Sequence, residues 1–82
     1  MITTRKEFVG RRNAYYSCMQ MQLRQGQHEQ RVGSSGAFDE HGAMARYEQM
    51  KADYPAICEV SALSNPTQAD FERAEKLFAR HA

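Results

Sequence analysis

The chain has 82 residues, 41% of them hydrophobic and 26% charged, a balance that fits one small folded domain and excludes general disorder. A chain this short buries only about 60 to 65% of the surface its unfolded form exposes, so its own core is marginal and a partner or self-association would help it. The net charge of +1 conceals an asymmetry: residues 1–36 carry six basic against two acidic residues, net +4, and the remainder five against eight, net −3. Such a dipole could steer a charged partner or pair the chain's own halves.

The N-terminal helix is expected over 4–26. Thr4 followed by Glu7 fits a capping box. At about 100° per residue, Phe8, Val9, Tyr15, Tyr16, Met19 and Leu23 fall on one sector roughly 120° wide, a core-facing stripe. Gly10 weakens the first turns without breaking the pattern. After Leu23 the stripe has no apolar successor until Val32, so Gly26 is the first credible stop and Gly33 the second. Residues 27–38, ending in the GSSG stretch, are expected to be a flexible linker.

A second helix is expected over 39–53. Asp39 would cap it, Ala43, Met44, Tyr47, Met50 and Tyr54 share a face, and Pro55 would end it by pushing the preceding residue out of the α region. Ile57, Val60 and Leu63 recur every three residues, which predicts a short connecting helix over 55–63. A third main helix is expected over 66–81, capped by Asn65 or by Thr67 with Asp70. Phe71, Ala74, Leu77 and Phe78 form its buried face. The fold class is therefore all-α: a small helical bundle with a long N-terminal helix, two shorter amphipathic helices and a short connecting helix.

A helix reaching about Gln30 would be roughly 40 Å long, against about 22 Å for either later one, so its end would either stop near Gly26 or project. Without apolar positions after Leu23, that end is no coiled-coil seam. Its polar Gln/His/Arg surface could still meet a partner through hydrogen bonds.

No chemistry stands out. His28, His41 and His81 lack metal-ligand spacing, and neither an activated nucleophile nor a phosphate-cradling glycine loop is present. No enzyme activity, cofactor or metal is expected. Cys18 and Cys58 lie forty residues apart without C-x-x-C spacing and are expected to be reduced thiols. No apolar run approaches the roughly 18 to 20 residues of a membrane span, and Arg11 and Arg12 interrupt the N-terminus, so a cytoplasmic location without membrane contact is expected.

Arg12 sits amid the apolar sector with Arg5 beside it. Either its stem covers the core edge while the guanidinium reaches water, or it is an interface arginine next to Phe8, Tyr15 and Tyr16. The basic residues scatter around the wheel, which disfavours a phosphate-tracking surface. Compact size without a motif gives the chain the look of small helical proteins of phages and mobile elements. The expected function is stoichiometric protein binding as an inhibitor, adaptor or regulator, through Arg5, Arg12, Tyr15, Tyr16 and Arg24. The alternatives are a nucleic-acid-binding regulator using the basic helix and a self-assembling homo-oligomer.

Overall fold

In the computed structural model, which describes residues 1–32 and 42–81, the chain is a compact all-α fold of three helices. Helix α1 spans Arg5–Val32, α2 Ala43–Ala62 and α3 Gln68–Ala79. By the 1.5 Å rise these are about 42, 30 and 18 Å long. They pack side by side into a body of 50 × 19 × 16 Å.

Thr4 starts α1 as expected. Its hydroxyl accepts from the Glu7 N–H at 3.2 Å, and the Glu7 carboxylate takes the hydroxyls of Thr3 and Thr4 at 3.1 and 3.3 Å. The helix does not stop at Gly26. It continues to Val32, so residues 27–32 belong to it and not to a linker. Gly26 is buried instead, where α1 crosses the first turn of α2. A Cβ placed there would lie 3.1 Å from the Met44 Cβ and 3.2 Å from its Cα. This glycine permits a close approach of two helices, a role invisible to a search for helix stops. Residues 33–38 of the expected linker, and Asp39 with its expected capping role, lie outside the described residues.

Helix α2 also corrects the expectation. Gly42, in the left-handed region at φ 68°, precedes it, and the helix runs through Pro55 to Ala62, merging the expected 39–53 and 55–63 segments. A proline inside a helix costs about 3 kcal/mol, because one N–H is lost and the ring crowds the preceding turn. Pro55 stands on the exposed side of α2, where water can reach the loosened turn. Met50, Ile57 and Val60, on either side of it, are buried in the core. Packing of both halves against the bundle outweighs the local penalty, and no separate connecting helix forms.

Helix α3 begins at Thr67, one of the two caps expected. The capping box is reciprocal: Asp70 N–H donates to the Thr67 hydroxyl at 3.3 Å, and Thr67 N–H donates to the Asp70 carboxylate at 2.8 Å. These bonds, the backbone one first, hold the Asp70 carboxyl below its usual range.

The contacts set the topology. Gln22 meets Arg46, Tyr15 meets Met50 and Arg5 meets Leu63, so α1 and α2 are antiparallel. Phe8 meets Phe71 and Tyr15 meets Phe78, so α3 lies parallel to α1 and covers only its N-terminal half. Ile2, ahead of α1, closes the bottom of the core at 1% exposure. Its N–H donates to Glu75 at 3.2 Å and its carbonyl accepts from Gln68 at 3.0 Å.

Two glycines in one helix should therefore respond oppositely to the same change. Gly10→Ala meets nothing within 4 Å and should raise stability by about 0.5 to 1 kcal/mol through helix propensity. Gly26→Ala should forfeit that gain by pushing α1 away from Met44, giving a lower midpoint in denaturant melts than Gly10→Ala.

Candidate functional site

Arg5, Arg12, Tyr15, Tyr16 and Arg24 do not form one surface. Arg5 reaches across to the end of α2, where its guanidinium donates to the carbonyls of Leu63 at 2.6 Å and Ser64 at 2.9 Å. Helix α2 has no basic residue in its last turn, so Arg5 brings a cation to its negative end from another helix. Arg12 is half-buried and donates to the Ser61 hydroxyl at 2.9 Å and to Asn13 at 3.2 Å. Both arginines tie α1 to the C-terminal end of α2.

Tyr15 offers no surface to a partner. It is 6% exposed, and its hydroxyl donates to the Met50 carbonyl at 2.7 Å. Its ring stacks on Tyr54 at 6.1 Å and 5°, tilts against Phe78 at 5.7 Å and meets His81 edge-on at 5.7 Å. Burial first, and the nearby Asp53 carboxylate second, push its phenol up to about 12. Helical spacing placed Tyr15 on the inner face of α1 already, and the structure assigns it to the core.

Tyr16 is different. At 46% exposure it packs its ring against Tyr54 at 5.6 Å. Tyr54 is half-buried, and burial followed by a hydrogen bond to Cys58 raises its phenol pKa. Tyr47 lies two turns before Tyr54 on the same face of α2, with the Lys51 ammonium 5.9 Å from its ring centre. Arg12, Tyr16, Tyr47 and Tyr54 thus line the α1/α2 seam on the flank away from α3. Tyr47 and Tyr54 entered the sequence reading as members of one shared face of the second helix; their place beside Tyr16 depends on the register of α1 against α2, which no spacing within one helix encodes.

Among the described side chains, the other basic residues of α1 stay apart. Arg11 lies over the Phe78 ring at 5.1 Å and 4.0 Å from Glu75. Lys6 and Arg24 are exposed on the outer face, about 27 Å apart along the axis. Arg24 is therefore separated from the Tyr/Arg seam.

Beyond the end of α3, Asp53 accepts from His81 Nε2 at 2.6 Å and pairs with Arg80 at 3.5 Å, fastening the last turn to α2. Cys18 and Cys58 are free thiols. Among the described residues no group of three or more His, Cys, Asp or Glu side chains is placed to hold a metal ion, and no helix is long and apolar enough to cross a membrane. Comparison with known protein families, with curated proteins and with solved structures found no match.

The raised phenol of Tyr15 fixes the sign of an alkaline effect. The unfolded chain ionises this tyrosine near 10, the folded chain near 12, so its contribution is complete below pH 10 and is lost as pH rises from 10 to 12. Tyr15→Phe should cost about 0.5 to 1.5 kcal/mol at neutral pH for the lost hydrogen bond. The stability gap between the two proteins should narrow across that alkaline window, as read by urea melts at stepped pH.

Proposed function

We propose that the chain is a non-enzymatic protein-binding module that acts stoichiometrically, as an inhibitor, adaptor or regulator, and that it engages its partner through the Tyr/Arg seam of α1 and α2. One observation carries this reading: Tyr16 is a large aromatic left 46% exposed on a base of Tyr54, beside a half-buried arginine. Aromatic and arginine side chains held rigidly at a partly buried seam are the residue types that dominate binding energy at protein interfaces, because they bring large area at little entropic cost. Arg12 is already oriented by Ser61, so its remaining donors are presented at small further loss of freedom.

The charge arrangement favours a protein over a nucleic acid as the partner. Phosphate tracking needs cations gathered on one face. Here Arg5 and Arg12 are engaged with α2, Arg11 is engaged with Phe78 and Glu75, and Lys6 and Arg24 stand about five helical turns apart.

The test compares wild type with Tyr16→Ala as bait in nuclease-treated lysate. A partner recovered in near-equal amount by wild type should fall at least about tenfold with the variant, which corresponds to more than 1.4 kcal/mol. The melting midpoint should move little, since Tyr16 is half exposed. Equal recovery by both baits would remove the seam from the account. Recovery abolished by nuclease would favour a nucleic-acid partner, and recovery of the chain alone would favour self-assembly.

A further inference from the structure

Arg5 and Arg12 share one stripe of α1, about 20° apart around the helix and about 10 Å apart along it. Both are held against the C-terminal end of α2, and every acceptor they use is neutral. Arg5 spends Nη2 on the Leu63 and Ser64 carbonyls, which leaves its Nε–H and its Nη1 group. Arg12 spends Nη1 on Ser61 and Nη2 on Asn13 and keeps further N–H groups on the same fork.

The contrast is with Arg11, Arg73 and Arg80, each of which has a carboxylate within 4.0 Å: Glu75, Asp70 and Asp53 respectively. Among the described residues neither Arg5 nor Arg12 has one. The negative end of α2 offsets part of the Arg5 charge, whereas a hydroxyl and an amide leave that of Arg12 uncompensated. The stripe is also remote from Glu29, Asp39 and Glu40. Position 29 lies about 25 Å from Arg12 along α1, and Gly42 about 28 Å from Ser61 along α2. Asp39 and Glu40 are joined to Gly42 by three residues of chain or fewer, which span at most about 11 Å.

The surface around the two arginines is apolar. Val9 lies between them on the same stripe and is half-buried, Leu63 is left 36% exposed beside Arg5, and Tyr16 follows Arg12 by one turn. We propose that this stripe receives an acidic segment of the partner protein, with carboxylates about 10 Å apart, as on one face of a helix, and an apolar side chain between them against Val9 and Leu63. The inference rests on the seam being a protein-binding surface and adds the chemistry of what it binds. Charge complementarity selects the carboxylates, because a charge-assisted bond to a guanidinium is stronger than a neutral one and geometrically selective. The spacing of the two forks selects acids two helical turns apart over adjacent ones.

The test is an NMR titration of the full chain with a blocked, alanine-based helical peptide carrying two glutamates two turns apart and a leucine between them on the same face. Amide shifts at Arg5, Val9, Arg12, Tyr16, Ser61 and Leu63 should move together with Kd below about 1 mM. Affinity should drop at least about tenfold with glutamines in place of the glutamates and with Arg12→Gln, and by less with Arg5→Gln. Arg12→Lys should recover part of the loss, because it restores the charge without the fork. Arg24→Gln, on the outer face, should change nothing. Wild-type shifts at Phe71 and Phe78 would verify that the variants keep the fold. Equal binding of the two peptides with shifts on the stripe would overturn the acidic partner and leave the seam reading standing. An equal loss with Arg24→Gln, shifts centred on another face, or no binding at millimolar peptide would each overturn the proposal. Tyr16→Ala reports on the seam separately: binding that depends on Arg12 and not on Tyr16 would support the acidic contact and remove Tyr16 from the interface.

Discussion

The Tyr15 side chain brings all three helices to one point. From α1 it donates to a backbone carbonyl of α2, stacks on Tyr54 of α2, tilts against Phe78 of α3 and meets His81 at the end of α3. Phe8, two turns earlier, repeats part of this arrangement with Phe71 and Phe78. With only 82 residues and no tryptophan, the core has few large side chains, and its aromatic contacts concentrate along α1.

Charge is used mainly inside the fold. The basic N-terminal half meets the C-terminal half where Arg11 approaches Glu75 and Arg5 supplies the cation that the end of α2 lacks, and within the C-terminal half Asp53 holds Arg80 and His81. Exposed ion pairs contribute little each, so their effect is to select register and orientation more than to raise stability. On the flank away from α3, Arg12, Tyr16 and Tyr54 meet at the α1/α2 seam.

Local signals were legible and cross-helix ones were not. The starts of α1 and α3 were readable because Thr4 with Glu7 and Thr67 with Asp70 act within one turn. The inward faces carrying Phe8, Tyr15, Met19, Phe71, Ala74 and Phe78 were readable because helical period puts them together. Pro55 misled because its penalty is local while its compensation, the burial of Met50 and Ile57 on either side, is tertiary. Gly26 misled for the same reason, since only the approach of Met44 explains it. Ile2 lies outside any periodic run, and its burial follows from Glu75 and Gln68 drawing the chain over the core. Of the expected contact residues, Tyr16 and Arg12 share a seam, Arg5 caps a helix, Arg24 stands apart and Tyr15 is interior. Tyrosine and arginine types alone do not distinguish those fates.

Because one side chain joins three helices, the bundle should unfold as a unit and not lose α3 first. Native-state hydrogen exchange on the wild-type chain and on Tyr15→Leu tests this most directly. The account predicts that the slowest amides of α1, α2 and α3 share one opening free energy in the wild type and that all three fall together in the variant. Loss of protection confined to the turns around residue 15, with α3 unchanged, would contradict it.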